Sequence, residues 1–358
     1  MDVSIEELLQ RTVSAGASDL HLKVGSPPVI RVAGELRRLH GLPTLRPNDT
    51  ESYAQTIFTQ RAVREFKDRG EADFAWGRPD LGRFRVTAFR QRGSVSMVLR
   101  RVPSDMASFE DLGVPGVLRR LASEQKGLLL ITGPSGSGKS STMAAVVDHI
   151  NTTRPVSIVT VEDPIEILHP DKLAVVAQRE VGVDTANFGD AVHRAIRQDA
   201  DVIVISHIAD ADTARAAITA AETGHLVISS MHTTDPADTI NRLVGYFPLQ
   251  EQGLARRQIA AHLVAVVSQR LLETTDGSTQ VLATEVLTSS ERVRERIVEG
   301  NGSLDEVLKE SEFFGMHTFD QTLQSLVLSR RVAVRVALPY VRNPHELRAR
   351  ALEAGLEV

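Results

Sequence analysis

The run Gly133-Pro-Ser-Gly-Ser-Gly-Lys-Ser140 constrains this chain more than any other stretch. It fits the pattern G-x-x-x-x-G-K-[ST], and its surroundings fit too: apolar residues 128–132 read as a buried strand before it, and residues 141–150 as a helix after it. Glycines let such a loop turn its backbone N–H groups inward, where they and the positive end of the following helix hold phosphate oxygens. Gly133, Pro134, Ser135, Gly136, Ser137, Gly138, Lys139, Ser140 and Ser141 are therefore expected to bind a nucleoside triphosphate with Mg²⁺. Lys139 would reach the β- and γ-phosphates, and the Ser140 hydroxyl would ligate the metal.

The rest of the chain supplies a frame for that loop. From residue 116, strand-like segments at 127–132, 156–161, 201–206 and 226–230 alternate with helical ones near 139–151, 188–198 and 212–223. Segments 201–206 and 226–230 are nearly continuous apolar runs, as a parallel sheet covered on both faces requires. This predicts an α/β, doubly wound nucleotide-binding domain, followed after about residue 250 by mostly helical chain. Residues 1–100 have another rhythm. Ser4-Ile-Glu-Glu7 is a capping box that opens a helix with Ile5, Leu8, Leu9 and Val13 on one face, ended by Gly16. Short strands at 19–24, 29–33 and 35–39, two helical patches near 48–69, and a hairpin of 83–89 with 94–100 complete a small α+β domain. The expected boundaries are 1–101 for this domain, 102–115 for a linker carrying Pro103 and Pro115, 116–290 for the nucleotide-binding core, and 291–358 for a helical C-terminal region.

Composition excludes several classes. No apolar run approaches the ~18 residues of a membrane-spanning helix, and the acidic N-terminal segment lacks the basic start of a secretory signal. With no cysteine, disulfides and thiolate metal centres are excluded, and a cytoplasmic location is expected. The formal charge is −5, which speaks against a dedicated nucleic-acid binder. Residues 1–105 hold 17 Lys+Arg and 13 Asp+Glu, net +4, and the remainder holds 24 and 33, net −9. Opposite signs suit surfaces that meet as well as they suit two solvated faces.

Further candidates fall where loops leave the strands, the edge at which open α/β sheets bind ligands. Thr160-Val-Glu-Asp-Pro-Ile-Glu166 offers carboxylates to hold Mg²⁺ waters or orient an attacking water, or else forms a solvated turn. Met231-His232-Thr-Thr ends the fourth strand, and His225 starts it. A strand-end histidine can contact a γ-phosphate, although a lone histidine is as readily a surface or core residue.

Taken together, residues 16–22 (Gly-Ala-Ser-Asp-Leu-His-Leu), 82–86 (Gly-Arg-Phe-Arg-Val), the phosphate loop, 161–166 (Val-Glu-Asp-Pro-Ile-Glu), 220–227 (Ala-Ala-Glu-Thr-Gly-His-Leu-Val), 315–321 (Gly-Met-His-Thr-Phe-Asp-Gln) and 343–347 (Asn-Pro-His-Glu-Leu) resemble the type IV pilus retraction ATPase family, PilT/PilU. The match runs in register from about residue 5 to residue 348. The resemblance implies an N-terminal PAS-like α+β domain, a RecA-like P-loop ATPase domain and a hexameric ring whose ATP hydrolysis drives pilus retraction and twitching motility. It places Glu162 and Glu166 in an acidic box, with Glu162 helping to hold Mg²⁺, and His225 and His232 in a histidine box. It also brings first-domain arginines toward the phosphates, for which Arg83, Arg85, Arg90 and Arg92 are the candidates, and it retains Arg197. The implied setting is a cytoplasmic homo-hexamer, or a ring mixed with a paralogous ATPase, peripheral at the inner membrane on a pilus platform protein. No nucleic acid and no zinc are expected: His193, His207, His225 and His232 have no diagnostic ligand spacing.

The sequence departs from the family at the third strand. The family follows this strand with Gly-Glu, then Met- or Ile-Arg-Asp; here the residues are Ser206-His-Ile-Ala-Asp210. His207 stands where a glutamate orients and deprotonates the attacking water, and Ala209 replaces the arginine. A neutral imidazole accepts one proton but brings no negative charge. The alternative is therefore a hydrolysis-impaired paralogue that binds ATP and modulates an active retraction ATPase. In the C-terminal region, where the family carries an Ala-Ile-Arg-containing helix needed for retraction, this chain reads Arg292-Val-Arg-Glu-Arg-Ile297, so that Arg296 puts a charge at an apolar position. Assembly and secretion ATPases with a larger N-terminal region and a four-cysteine zinc module fit less well, as does a DNA-translocating motor.

Overall fold

The computed structural model describes residues 3–103, 106–300, 304–310 and 315–357. Parts of the expected linker and of the expected C-terminal region (residues 104–105, 301–303, 311–314 and 358) lie outside them. The chain divides into two compact units, residues 1–104 with 166–168, and residues 105–165 with 169–358.

In the first unit, helix α1 (Ile5–Ser14) starts where Ser4 accepts a hydrogen bond from the Glu7 N–H at 3.2 Å, and it buries Ile5, Leu8, Leu9 and Thr12. Thr12, rather than the expected Val13, completes the buried face. Strands β1 (Asp19–Leu22), β2 (Val29–Val32) and β3 (Glu35–Arg38), helices α2 (Pro47–Ile57) and α3 (Gln60–Arg69), and strands β4 (Glu71–Arg78), β5 (Gly82–Gln91) and β6 (Ser94–Val102) follow. They form an antiparallel sheet in the order β3-β2-β1-β6-β5-β4. Inward side chains alternate along β5 as Phe84, Val86 and Ala88, over a core that includes Leu8, Leu20, Met97 and Leu99. The β5–β6 turn takes positive φ at Arg92 (51°) and Gly93 (79°), the two-residue geometry that matches strand twist. Strand β4 was not among the sequence expectations: its single turn signal, Gly70, also closes α3.

The second unit begins with α4 (Phe109–Leu112) and α5 (Val117–Ala122). Then come β7 (Gly127–Thr132), α6 (Lys139–Thr153), β8 (Ser157–Glu162), β9 (Val175–Glu180), α7 (Phe188–Ala195), β10 (Val202–Ile205), α8 (Ala211–Glu222) and β11 (Leu226–Met231). Helices α9 (Pro236–Gly245) and α10 (Leu249–His262) lead into β12 (Leu263–Glu273) and β13 (Gln280–Thr288). Helices α11 (Glu291–Glu299), α12 (Leu304–Glu310), α13 (Phe319–Leu328), α14 (Val334–Ala337) and α15 (Pro344–Glu353) close the chain. The seven-stranded sheet has the order β13-β12-β7-β11-β10-β8-β9, parallel except for the β12–β13 pair. One core packs each face, with Val192, Ile203, Ala217 and Leu243 on one side and Leu129, Val146, Ile158 and Ile228 on the other.

The expectation of mostly helical chain after residue 250 is corrected here. Strands β12 and β13, of 11 and 9 residues, complete the sheet. An apolar run such as residues 263–267 reads alike as buried helix or buried strand; α10 passes into β12 without a break, so no turn residue marks the change. Strand β9 was missed as well: it sits at the edge of the sheet with exposed Val175, and lacks the apolar run of the inner strands.

Candidate nucleotide site

Strand β7 is buried at every position and delivers the chain into the loop at the C-terminal edge of the sheet. There the Gly133 N–H bonds the Met231 carbonyl at 3.3 Å. Gly133 has φ +148°, and a Cβ on it would run into the Gln269 carbonyl oxygen and the Ser137 hydroxyl. Gly138, the N-cap of α6 with φ +85°, lies against Gln269 and Leu271 of β12. The loop is thus wedged against β12, a close approach that only glycine permits at Gly133. No side chain caps α6, so its first N–H groups are left for a ligand. Lys139 is 8% exposed; its Nζ donates to the Gly133 and Pro134 carbonyls at 2.9 Å each. Ser140 and Ser141 are exposed on the first turn of α6. This cradle fits a polyphosphate, with Ser140 as the hydroxyl available to Mg²⁺.

The neighbouring strands add side chains in sheet order. From β7 outward, Lys139, His232 after β11, His207 after β10 and Glu162 at the end of β8 stand along the same edge. Lys139 Nζ lies 3.4 Å from His232 Nδ1. Partial burial, the Lys139 ammonium and the His207 ring together hold the His232 imidazole below its ordinary value, which favours the neutral ring. His207 is held by Phe188 at the start of α7, whose ring it meets edge-on at 4.9 Å, and by Ser206 Oγ at 3.2 Å from Nδ1. Backbone bonds fix this corner: the Ser206 N–H donates to the Val161 carbonyl and the Ile208 N–H to the Ser230 carbonyl. Asp210 is spent capping α8, accepting from the Thr213 N–H at 2.7 Å.

Other expected residues stand elsewhere. His225 stands just before β11 at the opposite edge, about 20 Å from the loop end for six residues at roughly 3.3 Å each, and its Nδ1 lies 2.9 Å from the Ala220 carbonyl. Within one subunit it therefore takes no part in the phosphate cradle. Arg197 follows α7 toward that same opposite edge and is exposed. Glu162 Oε1 accepts from Thr160 Oγ1 at 2.6 Å and from Gln178 Nε2 of β9 at 2.9 Å. It is held on the side of β8 away from the loop, three strand spacings or about 14 Å from β7, which does not support a direct metal contact. Glu166 is exposed and groups with the first unit. Arg83 and Arg85 lie at one end of β5 and Arg90 and Arg92 at the other, seven residues or about 23 Å apart, so the four cannot converge on one phosphate. Arg90 packs its guanidinium over the Phe66 ring at 5.0 Å.

Sequence reasoning missed three partners. Gln178 holds Glu162, and buried Glu180 accepts from the Ile165 N–H at 3.2 Å, fixing the acidic turn from β9. Buried Gln269 braces the loop from β12, donating from Nε2 to the Ser137 carbonyl at 2.8 Å. The signal for Gln269 was its place in the polar triplet Ser268-Gln-Arg270 inside the otherwise apolar run of residues 263–272.

A glycine-rich loop between a central parallel strand and a helix, with a buried lysine inside it and histidines on the next two strands, defines a RecA-like P-loop ATPase. Residues 80–332 match the family model described as Type II/IV secretion system protein. The type IV pilus retraction ATPase PilT of Pseudomonas aeruginosa is 40% identical over 91% of this chain and 94% of its own length. The type IV pilus ATPase PilU of the same organism is 34% identical over 97% and 91%. A crystal structure of the pilus retraction motor PilT with bound ADP aligns with a TM-score of 0.87 and 38% identity, covering 97% of this chain and 100% of that one. The ATPase DotB of Legionella pneumophila aligns with a TM-score of 0.71 and 26% identity over 93% and 94%. The chain belongs to the Type II/IV secretion system family, in the branch of P-loop ATPases that contains PilT and PilU.

Proposed function

We propose that this chain is the motor subunit of a type IV pilus retraction machine, converting ATP hydrolysis into pilus retraction and twitching motility. The observation that carries this reading is the Lys139–His232–His207 row beside the phosphate loop, in a chain related to PilT along nearly its whole length. The loop N–H groups and the α6 N-terminus bind the phosphates, and Lys139 reaches the β- and γ-phosphates. Mg²⁺ held through Ser140 would supply charge neutralisation there. His232 contacts the γ-phosphate, and the His207 ring accepts a proton from the attacking water as the bond to ADP breaks. The working unit is a hexamer, peripheral at the inner membrane on a platform protein, with the first unit as its PAS-like domain. No helix among the described residues is long and apolar enough to cross a membrane.

One observation favours a second reading. His207 stands in the place of the family's glutamate, beside Ala209 in place of an arginine, so binding can outlast catalysis in a ring subunit that modulates an active ATPase. ATP binding and steady-state turnover of the purified chain separate the two. Under the motor reading the chain turns over and His207→Ala slows it. Under the second, turnover is at background and His207→Glu with Ala209→Arg raises it by about 10²–10⁴-fold, at little change in affinity. Failure of the wild-type chain to bind ATP sinks both.

A further inference from the structure

We propose that Gln269 is a positioning residue of the phosphate loop, one that aims a phosphate-binding amide from β12. The proposal rests on the nucleotide reading of residues 133–141. Gln269 has no exposed surface, and its Nε2 donates to the Ser137 carbonyl oxygen at 2.8 Å. That carbonyl and the Gly138 N–H belong to one peptide unit. In a planar trans peptide the C=O and N–H point in opposite directions. Holding the oxygen on the β12 side therefore turns the Gly138 N–H away from β12, toward the concave side of the loop where phosphate oxygens bind.

The same residue touches the other end of the loop. Its backbone carbonyl abuts Gly133, so side chain and main chain of Gln269 grip both ends of the cradle. Strand β12 is itself anchored here, Thr132 Oγ1 and Ser268 Oγ lying 2.8 Å apart. The cost of the arrangement is visible: Gln269 Oε1 and Ser137 Oγ are both buried without a hydrogen-bond partner among the described residues. An apolar side chain at position 269 would remove the first of these penalties, so packing alone favours leucine over glutamine. Holding the Ser137 carbonyl is what a glutamine does here and a leucine cannot.

The test measures ADP and ATP binding, kcat and KM, and the melting temperature of the full chain for the wild type, Gln269→Leu and Gln269→Glu. Loss of one oriented hydrogen bond is expected to weaken ADP and ATP about two- to tenfold in Gln269→Leu, with the melting temperature kept or raised. KM should rise with kcat nearly unchanged, because ground state and transition state lose the same contact. Gln269→Glu, of equal size, cannot donate while it is ionised, so at alkaline pH it should weaken both nucleotides at least as much. The proposal is overturned if either folded variant binds ADP like the wild type at that pH, or if affinity falls only in step with the melting temperature. Absence of ADP binding by the wild type overturns the nucleotide reading instead.

Discussion

The ammonium of Lys139 and the Nδ1 of His232 lie 3.4 Å apart, which joins the phosphate loop to the end of β11, where the Ser230 carbonyl accepts from the Ile208 N–H beside His207. A cation that close favours the neutral ring, and burial acts in the same direction. A histidine whose folded value lies below its ordinary 6.5 contributes stability that is complete above pH 6.5 and is lost as pH falls through the lowered value. A bound triphosphate reverses the local charge and raises the proton affinity of His232. ATP binding near pH 6.5 should therefore take up protons, seen as a buffer-dependent heat in calorimetry, and His232→Gln should remove most of that uptake.

A second histidine contributes to the acid sensitivity of the fold. Burial pushes His169 down to about 4, with Asp148 opposing and Lys172 adding to the shift. Its contribution is present above 6.5 and is lost between 6.5 and about 4. The melting temperature should fall across that window, and His169→Asn should flatten the fall in a pH series.

Gly133→Ala tests the wedge between loop and β12. A Cβ at φ +148° meets the Gln269 carbonyl and the Ser137 hydroxyl. Strain on the order of 1–3 kcal/mol should weaken ADP binding about ten- to a hundredfold. Unchanged affinity in a titration of the alanine variant would show that the loop does not need this close approach.

The C-terminal helices dock through a buried charge. Glu285 of β13 has no exposed surface and accepts from the Phe319 N–H at 2.9 Å and from Arg342 at 3.0 Å. Burial raises its carboxyl above the ordinary range, with the Phe319 N–H and Arg342 opposing. Arg342→Met strands this carboxylate and should cost about 3 kcal/mol in denaturant unfolding, the low end for a broken buried pair because Arg342 is 39% exposed. Glu285→Gln keeps the acceptor for Phe319 and should cost about 1 kcal/mol. The folded Glu285 holds its proton better than the unfolded one, so Arg342→Met should regain stability as pH falls through the raised value.

The three arginines of β5, with Arg92 in the turn beyond it, make a separable prediction. Only one end of the strand can serve a given phosphate, so Arg83→Ala with Arg85→Ala and Arg90→Ala with Arg92→Ala should differ sharply in steady-state ATPase rate. Equal losses from the two double variants would exclude a direct phosphate role for either pair.

The phosphate loop, its strand and its helix were legible because each rests on local signals: glycines where positive φ is needed, an apolar run, and a helix start. The inner strands β7, β8, β10 and β11 were legible as buried apolar runs. Strands β12 and β13 were not, since an apolar segment running straight out of α10 has no local mark of its conformation. His232 was read as a strand-end residue, and His207 as the residue in the place of the family's glutamate. His225 and Glu162 entered through the histidine and acidic boxes that the resemblance implies, but the two ends of a strand face opposite edges of the sheet, and that separates His225 from the loop.

By itself, then, the sequence determined that a triphosphate-binding loop sits between a buried strand and a helix, and that the expected glutamate after the third strand is a histidine. Those facts are covalent and local. Only the tertiary structure decided which residues share the loop's edge, because strand order β7-β11-β10-β8 is set by long-range pairing. It also brought in Gln269, 136 residues after Gly133, as β12 paired beside β7. Hydrogen bonds between distant strands, not spacing along the chain, assembled the site.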